Sequence, residues 1–85
     1  MSETSIQCSV YRSPKKEGMY IYVLKQEQPF EPVPEELLQR FGVPGHVMDL
    51  PLTRERRLAR VDARDVINAL QEKGYYLQMP PADQY

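Results

Sequence analysis

The sequence predicts a small α/β domain in which a four-stranded sheet packs against two helices. In two segments near the N-terminus, the type of side chain alternates from one residue to the next, with the period of two that a β-strand requires. Two later segments place apolar residues three and four positions apart, as the buried stripe of a helix does. Helices this amphipathic need a sheet to pack on. The predicted order is β-β-α-β-α-β, of α+β type, and the pattern does not determine the strand order within the sheet.

The first two predicted strands cover residues 6–11 and 19–25. On the second strand, one face carries Met19, Ile21 and Val23, and the other carries Tyr20, Tyr22 and Leu24. Because both faces are largely apolar or aromatic, we expect this strand to be covered on both sides. The polar connection over residues 13–18 contains a proline and a glycine and is short, which favours an antiparallel hairpin.

The first predicted helix follows an extended connector over residues 28–33, which holds two prolines. Pro34 suits the first helical position, where a missing N–H is harmless. Glu35 and Glu36 then suit the first turn, near the positive end of the helix dipole. The apolar stripe consists of Leu37, Leu38 and Phe41. Gly42 is a natural stop, which gives a helix of about two turns.

A turn at Pro44-Gly45 precedes a third predicted strand over residues 47–52. Pro51 cannot donate to a central ladder, so the strand either ends there or lies at an edge of the sheet. The highly charged segment 53–60 has no clear secondary-structure pattern, and we leave it unassigned.

The second helix has the clearest signals. Asp62 suits the N-cap, and Asp65 is placed to reach back to it as in a capping box. Val61 and Val66 flank this cap as a hydrophobic staple. The buried stripe consists of Ala63, Val66, Ile67 and Leu70. Lys73 is expected in the last turn.

A fourth strand, over residues 75–79, follows the second helix at once, because Gly74 ends the helix. Pro80-Pro81 terminates that strand. We expect residues 1–81 to form a single domain and residues 82–85 to be a short mobile tail.

Length, charge and cysteine content exclude several classes of protein. A chain of 85 residues suffices for one domain with a thin core. Its net charge is −1, whereas a protein that coats nucleic acid usually carries a large positive excess. The single cysteine, Cys8, cannot form an internal disulfide, which favours a reducing compartment. Without a signal-peptide pattern or an apolar run of roughly 18 residues, we expect a cytoplasmic protein without membrane contact.

No catalytic, cofactor or metal site is predicted. Cys8 falls on the apolar stripe of the first strand, where a free cysteine behaves as a small hydrophobe. His46 is the only histidine, and the sequence near it lacks the further ligands that a zinc site needs. We therefore expect His46 to be a turn or strand-edge residue. Glycine-rich phosphate loops and nucleophile–base sets are also absent from the sequence.

The first candidate binding surface surrounds the predicted hairpin. It consists of Tyr11, Arg12, Lys15, Lys16, Tyr20 and Tyr22. If Tyr11 shares a face with Tyr20 or Tyr22, aromatic rings beside cations would suit base stacking or phosphate binding. In the alternative interpretation, the tyrosines pack under a helix and the lysines are solvated in a loop.

The second candidate is an asymmetry of charge. Residues 54–64 contain five arginines against one glutamate and one aspartate, a net of +3, at Arg54, Arg56, Arg57, Arg60 and Arg64. Residues 27–36 contain four glutamates and no cation, a net of −4. Opposite patches of this kind steer a charged partner or drive head-to-tail self-association. The alternative is a solvated loop and ordinary acidic residues at a helix start.

Several short motifs follow one another in order between about Cys8 and Pro81. They are Val10-Tyr11-Arg12-Ser13, Lys16, Tyr20-Ile21-Tyr22-Val23, Val33-Pro34-Glu35-Glu36-Leu37-Leu38, Phe41-Gly42, Leu50-Pro51-Leu52 and Gly74-Tyr75-Tyr76-Leu77-Gln78-Met79-Pro80-Pro81. Together they resemble the YcgL family of small bacterial proteins. The resemblance implies a cytoplasmic protein of gammaproteobacterial type, with an α/β/α sandwich built on a four-stranded sheet. It carries no catalytic residues over to this chain.

The resemblance also raises a question about the C-terminus. Members of the family often continue after the two prolines into a helical tail, whereas only residues 82–85 follow in this sequence. It is open whether a face covered by that tail elsewhere is exposed in this chain.

We interpret the chain as a non-enzymatic, regulatory interaction module that binds another protein through a sheet edge or a charged patch. The first alternative is an RNA- or DNA-binding module that uses Arg54, Arg56, Arg57 and the hairpin cations, with an affinity that falls steeply with salt. The second is a small enzyme with an unrecognised site, which requires a polar cluster in a pocket. The sequence does not determine the partner or the oligomeric state.

Overall fold

The computed structural model describes residues 5–58 and 61–80, and its elements follow the predicted β-β-α-β-α-β order. They are β1 (Ile6–Arg12), β2 (Tyr20–Leu24), α1 (Glu35–Phe41), β3 (Gly45–Leu52), α2 (Ala63–Glu72) and β4 (Tyr75–Gln78). The strands form one antiparallel sheet in the order β3-β1-β2-β4. The predicted β1–β2 hairpin and the α+β fold class are therefore confirmed.

Each face of the sheet has its own hydrophobic cluster and its own helix, so the layers are α/β/α. On the α2 face, the sheet residues Cys8, Val10, Leu50 and Leu52 pack with the helix residues Ala63, Val66, Ile67 and Leu70. On the α1 face, Met19, Ile21 and Val23 pack with Val33 and Phe41. The strand β2 contributes to both clusters, which confirms that it is covered on both sides.

The helix α2 forms as its sequence indicates, except at its two ends. All four residues of the predicted stripe are buried. The Asp62 carboxylate accepts a hydrogen bond from the Arg64 amide at 2.9 Å. A return bond from the Asp65 side chain is not among the hydrogen bonds of the described residues, so the predicted capping box is wrong. Lys73 is the C-cap residue and does not lie in the last turn.

The approach to α1 differs from the prediction in two respects. Pro34 is the N-cap residue rather than the first helical residue, because its carbonyl already accepts hydrogen bonds from the amides of Leu37 and Leu38. The preceding connector is not extended. The Glu31 amide bonds to the Gln28 carbonyl at 3.2 Å, in a turn whose second position holds Pro29. A following bond from Val33 to Phe30, at 3.0 Å, turns the chain again, and both of these side chains pack on the α1 face.

The strand β3 lies at an edge of the sheet, one of the two alternatives that Pro51 left open, and it begins two residues earlier than predicted. Met48 lies opposite Val10, but His46 lies opposite Tyr11. Val47 is therefore an extra residue, which makes a β-bulge. Residues 46 and 49 of a regular strand point to opposite faces, and the bulge places both on the α1 face.

In the described part of the connection between β3 and α2, a turn is followed by a β-bridge. The Arg56 amide donates to the Thr53 carbonyl at 3.0 Å, and Arg57 pairs with Asp62. Arg60 and the predicted tail over residues 82–85 lie outside the described residues. Within residues 5–58 and 61–80, no helix has the length and apolar character needed to cross a membrane.

Candidate functional site

The predicted binding residues lie at two opposite ends of the sheet. In the antiparallel pairing of β1 with β3, Arg12 lies opposite Gly45, and Ile6 lies opposite Leu52. Arg12 and the Ser13–Gly18 loop therefore share one end with residues 42–44, which we call the loop end. Residues 53–57, with Arg54, Arg56 and Arg57, follow the last residue of β3 at the other end, and we call them the arginine turn.

The three predicted tyrosines do not share a face. Tyr11 pairs with Ile21 and lies on the α1 face, whereas Tyr20 and Tyr22 belong to the α2 face. The hairpin pairs Tyr20 and Tyr22 with even-numbered residues of β1, whereas Tyr11 is odd-numbered and points to the other face. The prediction that Tyr11 sits beside one of these tyrosines is therefore wrong. Tyr22 is buried, and its hydroxyl lies 3.1 Å from Gln78 Oε1. This matches the alternative in which the rings pack against the helices.

The loop end is held to α1 by one buried serine. The hydroxyl of Ser13 donates a hydrogen bond to the carbonyl of Phe41, the last residue of the helix. The same oxygen accepts the amides of Lys15 at 3.1 Å and Lys16 at 3.3 Å. Ser13 thus fixes the backbone of both lysines relative to the helix end.

Gly42 completes this junction. Its φ is 90° and its ψ is −169°, a conformation that is essentially confined to glycine. A Cβ at this position would come within 3.1 Å of carbons in Pro14 and Lys15. The close approach of the loop to the helix end therefore depends on the missing side chain. Lys15 adds a bond from its Nζ to the Gln39 carbonyl at 2.9 Å.

Two depressions flank a ridge formed by Pro14 and Val43. The Arg12 cavity has a volume of about 510 Å³, and its walls include Arg12, Glu17 and Tyr20. The apolar groove has a volume of about 690 Å³ and runs beside α1, where Phe30, Leu38 and Pro44 line it together with the ridge. Val43 is 81% exposed on top of the ridge. We call these residues, with Lys15 and Lys16, the loop-end surface.

The β-bulge assembles a polar cluster that the sequence analysis missed. The Ser9 hydroxyl donates to Asp49 Oδ1 at 2.7 Å, and His46 Nε2 lies 2.8 Å from the same oxygen. Lys25 Nζ lies 3.4 Å from Asp49 Oδ2. The bonds from His46 and Ser9, opposed by some desolvation, lower the pKa of Asp49 to about 2. In the sequence, His46 and Asp49 are three residues apart, a spacing that places them on opposite faces of a regular strand. Only the bulge brings their side chains to the same face.

This cluster does not have the geometry of an activated nucleophile. Ser9 and His46 contact the same carboxylate oxygen, so the serine proton points to Asp49 and not to the imidazole. None of these three residues lines the Arg12 cavity or the apolar groove. Across the described ranges, no group of three or more His, Cys, Asp or Glu side chains is placed to hold a metal ion. The cluster fixes the edge strand to β1.

Cys8 lies in the core as predicted and is fully buried. Burial, reinforced by the Asp49 carboxylate and opposed by Arg56, raises the pKa of its thiol to about 11. A thiol with so high a pKa stays protonated near neutral pH and is a poor nucleophile.

The arginine turn presents its cations to solvent. Arg54, Arg56 and Arg57 are all exposed, and none of them belongs to an ion pair among the residues that the structure describes. A shallow depression of about 570 Å³ is lined by Arg56, Arg57 and Thr53, and Glu55 lines it as well. The predicted acidic counterpart is exposed as well, at Glu27, Glu31, Glu35 and Glu36.

The comparison with known proteins gives the family. The model of the YcgL domain matches residues 8–81. A YcgL domain-containing protein of Pseudomonas fluorescens is 54% identical over 76 residues, which are 89% of this chain and 77% of the relative. One of Hahella chejuensis is 59% identical over 73 residues, covering 86% and 68%, and one of Cellvibrio japonicus is 55% identical over 78 residues, covering 92% and 79%. The chain therefore belongs to the YcgL domain family.

Proposed function

We propose that this protein is a non-enzymatic, regulatory interaction module that binds a partner protein at its loop-end surface. The observation that carries the proposal is the exposure of Val43, which is 81% accessible on a ridge between two depressions. An exposed valine side chain makes few stabilising contacts within the fold. Apolar surface rimmed by polar residues is typical of protein-binding sites.

The rigidity of the loop end supports the same function. Ser13 holds the loop to the end of α1, and Gly42 permits the close contact. A surface whose backbone is fixed before binding loses less conformational entropy when a partner docks. A cytoplasmic location belongs to this proposal and is supported by the one cysteine of the sequence, which is free and buried.

The test is a quantitative affinity purification from lysate of the source organism with three baits. They are the tagged native chain, a Val43→Ser/Lys16→Gln variant, and an Arg56→Gln/Arg57→Gln variant as the matched control at the other end of the sheet. We expect proteins that are retained by the native chain and the control, survive nuclease treatment, and are lost from the Val43 variant. Retention of the same proteins by all three baits would contradict the proposal.

A second candidate function is nucleic-acid binding at the arginine turn. It is supported by the three exposed arginines, which have no ion-pair partner among the described residues. Titration of a labelled single-stranded RNA is the direct measurement. Three phosphate contacts predict a slope of about −2 for the logarithm of affinity against the logarithm of salt concentration. The Arg56→Gln/Arg57→Gln variant should flatten this slope, and unchanged binding by that variant would exclude the site.

A further inference from the structure

The loop-end surface joins an apolar groove to a cationic rim, and this combination restricts the partner. The groove is lined by Phe30, Leu38 and Pro44 and by both ridge residues. It therefore fits an aliphatic or aromatic side chain. Across the ridge, Arg12 and Tyr20 line the second depression. A ligand that lies across the ridge contacts both environments at once.

The charge of the rim is positive. Residues 12–18 contain three cations, Arg12, Lys15 and Lys16, against Glu17, an excess of +2. All three cations are exposed, and none belongs to an ion pair in the described part of the chain. Glu35, in the first turn of α1, is the acidic residue of the groove's lining. An acidic ligand therefore finds its complement beside the ridge.

We infer that the partner segment is an acidic linear peptide with one large apolar anchor, and this inference rests on the proposed function. The anchor occupies the apolar groove beside Val43, and a neighbouring carboxylate binds Arg12, whose planar guanidinium forms paired hydrogen bonds with carboxylates. Lys16 adds a weaker, screened attraction at the rim.

The apolar groove favours a peptide over the other polyanions. A nucleic-acid backbone places phosphates on the cations but supplies no side chain for the groove, and the Tyr11, Tyr20 and Tyr22 rings do not form a stacking platform beside it. A peptide with one large apolar residue next to an acidic residue satisfies both halves of the surface. Linear segments of this kind commonly bind in preformed grooves by one or two anchors.

The test is a selection of random linear peptides displayed on phage against the immobilised native chain. We expect the enriched peptides to share one large apolar residue flanked by Asp or Glu. The strongest peptide is then titrated against native protein, Val43→Ser, Arg12→Gln and the distant control Arg57→Gln. We expect Val43→Ser and Arg12→Gln each to weaken binding about tenfold, as loss of an anchor does, and Arg57→Gln to leave it unchanged.

Three results would overturn the inference. They are enrichment of basic or anchor-free peptides, an equal loss with Arg57→Gln, and the absence of any enriched family. None of these would affect the proposed function, since capture of proteins that depends on Val43 would still support it. Melting temperatures of the three variants verify folding, because Arg12, Val43 and Arg57 are all exposed.

Discussion

The two ends of the sheet carry similar residues but are built differently. At the loop end, a buried side chain, Ser13, joins the hairpin loop to α1 by one hydrogen bond to the Phe41 carbonyl and accepts two amides of its own loop. The arginine turn is fixed by backbone contacts, namely the bond from Arg56 to Thr53 and the bridge of Arg57 to Asp62. The first end is therefore locked to a helix, and the second is a solvated turn.

The net charge of a segment does not reveal whether its backbone is fixed or whether a groove lies beside it. The segment 54–64 has a net charge of +3, which exceeds the +2 of residues 12–18. Yet the smaller excess lies beside an apolar groove on a backbone fixed by buried contacts. Long cationic side chains on an exposed turn lose rotamer freedom when they bind, and this cost offsets much of the Coulombic gain.

Among the variants that compare the two ends, we expect Gly42→Ala to lower the free energy of unfolding the most. The backbone conformation of Gly42 costs other residues about 1 to 3 kcal/mol, and the new Cβ would also crowd Pro14 and Lys15 at 3.1 Å. Gly45→Ala is the matched control, since its Cβ would make only ordinary contacts with Arg12. Urea unfolding should show a loss of about 3 kcal/mol for the first variant and a change within about 0.5 kcal/mol for the second. Equal stabilities would mean that the loop does not pack on the helix end.

Ser13→Ala should have the next largest effect. It leaves the buried Phe41 carbonyl and two lysine amides without their partner, and an unsatisfied buried group costs about 1 to 3 kcal/mol. In the comparison variant, Ser9→Ala, Asp49 keeps His46 and Lys25, so we expect a loss of about 1 kcal/mol or less. Denaturant unfolding of the two variants measures the difference. A larger loss of unfolding free energy for Ser9→Ala than for Ser13→Ala would contradict this prediction.

The acid dependence of stability should report on the polar cluster at the β3 edge. The pKa of Asp49 is about 2 in the folded protein, below the ordinary value of 3.8, because His46 and Ser9 bond to its carboxylate. Its contribution is therefore fully present above pH 3.8 and is lost as the pH falls towards 2. Asp49→Asn should flatten the fall of the melting temperature over this range. The slope will not vanish, since the amide of Arg64 lowers the pKa of Asp62 as well. An unchanged slope would show that the cluster is not formed.

The sequence predicted those parts of the fold that local patterns determine. The stripe of α2 follows from helical spacing alone. Pro51 excluded a central position for β3 beyond residue 51, because a proline cannot donate to a ladder, and β3 lies at the edge. The face of Tyr11 depends instead on the register of the hairpin, and a change of one residue reverses it. Periodicity determines which side chains share a face of one strand but not which faces of two strands coincide.

The candidate site depends on contacts that no local pattern encodes. Ser13 and Phe41 are 28 positions apart, and no local pattern predicts a hydrogen bond between them. Arg12, Lys15 and Lys16 were predicted as binding residues from their charge, but the groove beside them arises only when the loop meets the helix end. The polar cluster likewise requires the bulge at Val47, which pairing with β1 creates.

The smallest effect on stability is expected from Arg56→Gln/Arg57→Gln at the arginine turn. Both side chains are exposed, and among the described residues neither forms an ion pair, so the free energy of unfolding should change by less than about 0.5 kcal/mol. The hydrogen bond from the Arg56 amide to Thr53 and the bridge of Arg57 to Asp62 belong to the backbone and remain in place. Urea unfolding measures the change, with Ser13→Ala as the reference for an end that is locked by a side chain. A loss as large as that of Ser13→Ala would show that the arginines stabilise the fold, and the contrast between the two ends would then disappear.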